Sequence, residues 1–195
     1  GLVALHGRPA DKLAVEEDRL EGGDVVVLVA QREHVVVEEH IALVDVAVDM
    51  LNADRSMVFA WDEKQTKVVP RVSHGFSPET LKVMEFAKGE GIVGEVLATG
   101  KPAVVRQIEL NDFRPDVRAA IISEGIRSFV NLPIVVDHKV VAVFNVGFTR
   151  PNLMGDDTMR LFSALTHRAS ISIANMELFE QTKDLAVMEE RNRLA

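Results

Sequence analysis

Residues Arg127 to Val146 read RSFVNLPIVVDHKVVAVFNV. Two valine-rich runs flank Asp137-His138. Branched side chains are stiff at χ1 and pack well on a pleated surface, so Ser128–Val136 and Val140–Phe148 are predicted strands. Asp137-His138 is the tight turn that folds them into an antiparallel hairpin. Upstream lies GEGIVGEVLATGKPAVV, Gly89 to Val105. Its glycines bracket a short helix. Gly100 suits a left-handed helix end, and Pro102 prevents continuation. The stretch is not a phosphate loop, because no Gly-Lys-Ser/Thr ending follows. Ala103 to Arg106 reads as a strand, Asn111 to Pro115 as a polar loop, and Val117 to Ile122 as a short helix stopping near Gly125.

Further upstream, Met57–Trp61 and Lys67–Ser73 form a second hairpin around Asp62-Glu63. Pro78 to Phe86 is predicted helical, with proline at a permitted early position. Val27, Ala30, His34, Val37, Ile41, Val44, Val48 and Leu51 alternate spacings of three and four, one stripe on a helix. That stripe predicts helix over Val37–Leu51 and back towards Asp24, a candidate cap. The valine density of Val25–Val29 argues the other way, for strand. Gly1–His6 reads as a short strand and Lys12–Leu20 as helix-like, broken at Gly22-Gly23.

Downstream, Pro151 to Asp157 is a loop, and Asp156 or Asp157 caps a last helix that continues to the end. Ile171, Ala174, Leu178, Gln181, Leu185, Met188, Asn192 and Ala195 fall at heptad a/d spacing on it. This is the seam expected of a parallel coiled coil in a homodimer. The alternative is an amphipathic helix packed on its own domain.

The 195 residues are 47% hydrophobic and 27% charged, which fits one packed domain with extra segments, or two small ones. Net charge is −8, which disfavours nucleic acid as a partner. There is no cysteine, so disulfides, thiolate metal sites and a cysteine nucleophile are excluded. No apolar run reaches transmembrane length and no signal-peptide pattern opens the chain, so no membrane insertion and a cytoplasmic location are expected. The start at Gly1 and the end inside a helical pattern read as a piece of a longer protein.

Four segments in order, ADRSMVFAWDE (Ala53 to Glu63), Gly89 to Val105, Arg127 to Val146 and SIANMELFEQ (Ser172 to Gln181), resemble a GAF domain. The resemblance implies an α+β fold: a central antiparallel sheet of roughly five or six strands, helices on both faces and a long C-terminal helix. The first and last helices share one face. A ligand pocket lies on the other, closed by the loops and short helices between Phe76 and Gly125. Residues 36–181 are the expected GAF domain. Residues 1–35 form an N-terminal extension, read as the tail of a preceding similar domain and a linker helix. Residues 182–195 begin a signalling coiled coil. There MEERNRLA (Met188 to Ala195) resembles the start of the dimerisation helix of nitrate-sensor-type histidine kinases.

The resemblance implies a sensory module of a two-component protein, with kinase domains downstream and no catalysis in this chain. Its rivals are a ligand-free dimerisation or relay domain, and the regulatory GAF of a transcription activator or cyclic-nucleotide enzyme. Phe59, Trp61, Phe76, Phe86, Phe113, Phe129 and Phe144 are candidates to line an apolar pocket. His74, Arg114 and Arg118 are candidates to pair with an anionic group there. The alternative is that the aromatics are plain core.

Covalent bilin is excluded by the missing cysteine, as is the sulfoxide-reducing chemistry of one GAF branch. Heme would need an axial ligand, and His74 is best placed among the histidines; a lone His is more often structural. Cyclic nucleotide is disfavoured: Asn145 and Asp156-Asp157 match the family pattern in part, but Val146 stands where lysine would. His34 and His40 lack metal-binding spacing. Ser73-His74 lacks a nucleophile elbow, and neighbours in a strand face opposite sides.

Overall fold

The two hairpins meet edge to edge, and everything else is arranged around that seam. In the computed structural model, which describes residues 14–16, 25–29, 50, 52–62, 64–151 and 155–193, β7 (Ser128–Val136) pairs antiparallel with β8 (Lys139–Phe148). Asp137 and His138 sit at φ 47° and 64°. Both central residues of a two-residue hairpin loop need positive φ to match the strand twist. β3 (Arg55–Trp61) pairs with β8, β4 (Lys67–His74) with β3, and β6 (Ala103–Val105) with β7, all antiparallel. The outer edge of β4 is shared. β5 (Phe86–Ala87) covers its start, and β2 (Val25–Val29) covers its end. β1 (Ala14–Glu16) pairs with β2. β3 to β8 make the six-stranded antiparallel sheet expected, and β1 and β2 extend it.

Besides the helical Met50 and a 3-10 turn at Ile108–Leu110, the described residues include four α-helices: α1 (Pro78–Leu81), α2 (Gly91–Thr99), α3 (Pro115–Ser123) and α4 (Asp156–Arg193). Strand alternation sends side chains to two separate cores. On one face Val58, Val130, Leu132, Ile134, Phe144 and Val146 pack with Phe162 and Ala169 of α4. On the other, Met57, Phe59, Val68, Phe129 and Val143 pack with Val93, Val96 and Leu97 of α2 and Val117 and Ile121 of α3.

Three expectations are corrected. The helix from Pro78 stops at Leu81, and Phe86 is a strand residue. The helix ends there so that Met84 and Phe86 can enter the core, where the Phe86 ring stands edge-on to Phe59 at 5.7 Å. Val25–Val29 is a strand, so the valine density wins over the helical stripe at its start. Ala14–Glu16, inside the helix-like stretch, is its partner strand. The strand expected at Gly1–His6 and the helix expected at Val37–Leu51 lie outside the described residues, except Met50, which is helical.

The glycine-bracketed helix is as expected. Gly100 ends α2 at φ 65°, and its N–H donates to the Val96 carbonyl at 2.8 Å. Gly94 has a different role. The Gly89 N–H donates to its carbonyl at 2.8 Å, and a Cβ on Gly94 would stand 2.3 Å from the Ala87 carbonyl oxygen. The clash is with backbone, which cannot rotate away. Gly94→Ala should therefore cost about 1–3 kcal/mol as α2 is pushed off the β5 turn. Chemical denaturation checks this, and an unchanged midpoint would mean the turn yields freely.

Candidate ligand site

The floor of the site is a row of directly opposed residues. Register places Met57 of β3 opposite Asn145 of β8, and Asn145 opposite Asn131 of β7. Opposed residues share a face, here that of α2 and α3. Above the row is a cavity of about 130 Å³. Its apolar wall includes Phe59, Phe76, Met84, Phe86, Val93, Ile121, Ile126 and Phe129, and Gly147 leaves room in the floor. A Cβ on Gly147 would meet the Ile126 side chain at 3.0 Å. At the floor, the Asn145 Nδ2 donates to Asn131 Oδ1 at 2.7 Å. Asn131 is 1% exposed, and its own Nδ2 is buried with no hydrogen-bond partner.

The mouth carries Glu90, Asp112, Phe113 and Arg114. Arg114 straps the mouth together. Its Nε donates to Asp116 at 2.7 Å, its Nη1 to Glu90 at 2.8 Å and the Glu85 carbonyl at 3.2 Å, and its Nη2 to the Val83 carbonyl at 2.6 Å. The guanidinium also lies over the Phe86 ring, 5.6 Å from its centroid. The hydrogen bond to Asp116, and then the one to Glu90, raise its already high pKa further. The Ala87 N–H, then Arg114, hold the Glu90 carboxyl below its ordinary range.

A second clasp closes the wall carrying Phe76. Glu124, just after α3, accepts on Oε1 from the Ser77 N–H (2.8 Å), the Ser77 hydroxyl (2.6 Å) and the Thr80 hydroxyl (2.7 Å). Arg55 pairs with Oε2 at 3.5 Å. Burial pushes this carboxyl up, but the hydrogen bonds from Ser77 and Thr80 and the Arg55 charge outweigh it and hold it below the ordinary carboxylate range.

The predicted site residues divide accordingly. Phe59, Phe76, Phe86, Phe113, Phe129 and Arg114 meet at the cavity. Arg118 lines a smaller crevice of about 50 Å³ beyond Phe113, and its guanidinium donates to the Asn111 carbonyl at 3.1 Å. Trp61 packs on the same face outside the lining, its indole N–H bonded to the Val140 carbonyl at 3.1 Å. His74 ends β4 opposite Ser56 and Val25, outside the lining. The anion-binding group of His74, Arg114 and Arg118 is therefore not assembled, and the histidine favoured for heme is not at the cavity.

Phe144 is fully buried on the opposite face, in the core beneath α4. The cause is a β-bulge. Next to the turn Val136 pairs with Lys139 and Val135 with Val140, but Ile134 pairs with Ala142, leaving Val141 as the extra residue. Counting straight from the turn would set Phe144 opposite Asn131. The bulge sets it opposite Leu132 and turns Asn145 to the cavity.

Met57, Met84, Ile126, Asn131, Asn145 and Gly147 are site residues not singled out as pocket lining from sequence. For the two asparagines the available signal was polarity at one central position of each apolar strand.

On α4, Ala174 packs against the domain's own core, while Ile171 and Leu178 are 50% and 61% exposed. The side chains of Leu185 and Met188 lie outside the described residues.

The chain is similar to several known proteins. It is 26% identical over 147 residues to the nitrogen fixation protein AnfA of Azotobacter vinelandii, covering 74% of this chain and 27% of that one. This chain therefore spans about a quarter of that curated relative. Among solved structures, a domain of a two-component sensor histidine kinase protein from Sinorhizobium meliloti superposes with a TM-score of 0.68. The identity is 18%, covering 77% of this chain and 99% of that one. The GAF domain of an Acinetobacter phosphoenolpyruvate-protein phosphotransferase gives 0.61 at 18% identity, covering 77% and 89%. The family model for the GAF domain matches residues 41–173, which hold the sheet from β3 onward, both cores and the cavity, and the chain belongs to the GAF domain family.

Proposed function

We propose that this chain is the sensory module of a two-component signalling protein, a sensor histidine kinase, in which a small molecule in the cavity biases the packing of α4 within a homodimer. Phosphotransfer is assigned to a kinase domain outside this sequence, and the chain itself is read as non-enzymatic and cytoplasmic. Among the described residues no helix is long and apolar enough to cross a membrane.

One observation carries the reading. β8 has Asn145 in the cavity lining, while its neighbours Phe144 and Val146 belong to the core that includes Phe162 of α4. A shift of this strand on one face is therefore felt on the other. A ligand acts by favouring one of two packings, and shifts their balance only by its difference in affinity between them. The exposed Ile171 and Leu178, one heptad apart, support a helix–helix contact beyond the domain.

The test is oligomeric state. Sedimentation equilibrium should show a wild-type dimer, with Leu178→Asp and Leu185→Asp each weakening dimerisation at least tenfold without loss of helical circular dichroism. An unchanged equilibrium in both variants removes the dimer relay. The match to a nitrogen fixation protein favours a second reading, a regulatory GAF module outside the kinase class.

A further inference from the structure

We infer that the cavity selects a small, uncharged molecule with an apolar body and a carboxamide-like end, read by the Asn131–Asn145 pair. This rests on the proposal that the cavity is a ligand pocket, and it names the chemistry the pocket accepts.

The floor supplies the first argument. Asn131 and Asn145 are opposed on neighbouring strands and share one hydrogen bond. That bond leaves the Asn131 Nδ2 donor and the Asn145 Oδ1 acceptor unused. Burying an amide N–H without a partner costs about 1–3 kcal/mol. Met57, Phe59, Phe129 and Val143, neighbours on the same sheet face, are apolar. A purely structural floor would be more stable with apolar residues at 131 and 145. A ligand carbonyl complements the free donor, and a ligand N–H complements the free acceptor. A carboxamide carries both on one planar edge.

The mouth supplies the second argument. Among the described residues Arg114 is the one cation in the lining, and four of its five N–H donors are occupied. Its charge is met by Glu90 and Asp116, and Asp112 adds a further negative charge to the lining. An anion entering this cavity would give up its water for apolar walls where, among the described residues, no cation is free, at a cost of several kcal/mol. Size supplies the third. An apolar cavity of roughly 150 Å³ takes a benzene-sized guest, and this one is about 130 Å³.

Isobutyramide, isobutyrate and benzene are probes of matching size that separate these features. Each is titrated into the 15N-labelled full chain. The amide peaks of Gly91 and Gly147, which line the cavity, report binding there. Isobutyramide should shift both peaks, with isobutyrate at least tenfold weaker. Asn145→Leu should weaken isobutyramide about threefold to tenfold, the range of one neutral hydrogen bond. Benzene should bind that variant as well as wild type, which also shows that the variant is folded.

Isobutyrate binding as tightly as the amide would overturn the uncharged class while leaving the pocket. Isobutyramide binding unaffected by Asn145→Leu, or benzene binding alone, would overturn the amide readout. No shift at either glycine with any probe would fail the pocket itself, and the inference with it.

Discussion

Phe144→Ala should lower stability by about 3–5 kcal/mol, the range for removing a fully buried aromatic ring. Phe144 is opposed to Val58 on one side and Leu132 on the other, in the same core as Phe162 of α4. Truncation opens a hole between sheet and helix, where rigid strands cannot close it. The ring lies on the far face from the cavity and makes no part of its lining, so the folded fraction should still bind isobutyramide, its affinity altered only by what β8 transmits from the loosened core. Denaturant unfolding combined with the glycine peak titration measures both. A large loss of affinity with little loss of stability would put Phe144 in the site after all.

Glu124→Leu should cost about 2–4 kcal/mol. Three donors, the Ser77 N–H and the Ser77 and Thr80 hydroxyls, converge on one carboxylate oxygen. The two hydroxyls keep a 3.1 Å bond to each other when the carboxylate is gone, but the Ser77 N–H loses its acceptor. Phe76, next to Ser77, then loses its fixed position in the cavity wall, so probe affinity should fall as well. The effect is pH-dependent with a definite sign. The carboxyl titrates lower in the folded chain than its ordinary value of 4.5. Its stabilisation is complete above that value and is lost as pH falls through the folded pKa. Glu124→Gln should flatten that part of the acid-unfolding profile. Parallel profiles for wild type and Glu124→Gln would show that the clasp does not depend on charge.

The two long hairpins were legible because each strand is a largely apolar run and turn residues separate the two strands of each pair. So was α2, because Gly100 and Pro102 terminate it chemically. Periodicity misread Pro78–Phe86, where spacing fits a helix but the core demands that Met84 and Phe86 leave it. It misread Val25–Val29 for the converse reason: period alone could not separate a strand from a helix stripe.

The site was legible as aromatics near the sheet and illegible as geometry. Which face Phe144 takes depends on one extra residue, Val141, and no local pattern shows where a bulge falls. Whether Arg114 is available to a ligand depends on Glu90 and Asp116, acidic groups that neither spacing nor composition pairs with it.

The unbroken course of α4 has a mechanical consequence. Its axis runs roughly 28 Å from Ala174, still packed on the domain core, to Arg193. It is a lever arm with its fulcrum on the domain. A tilt of about 5° at Ala174 carries the far end by ~2.5 Å, more than the ~1–2 Å helix displacements that suffice to repack a subunit interface. In the relay proposed above, a single small guest would need only tip the fulcrum slightly for the far end to register its occupancy.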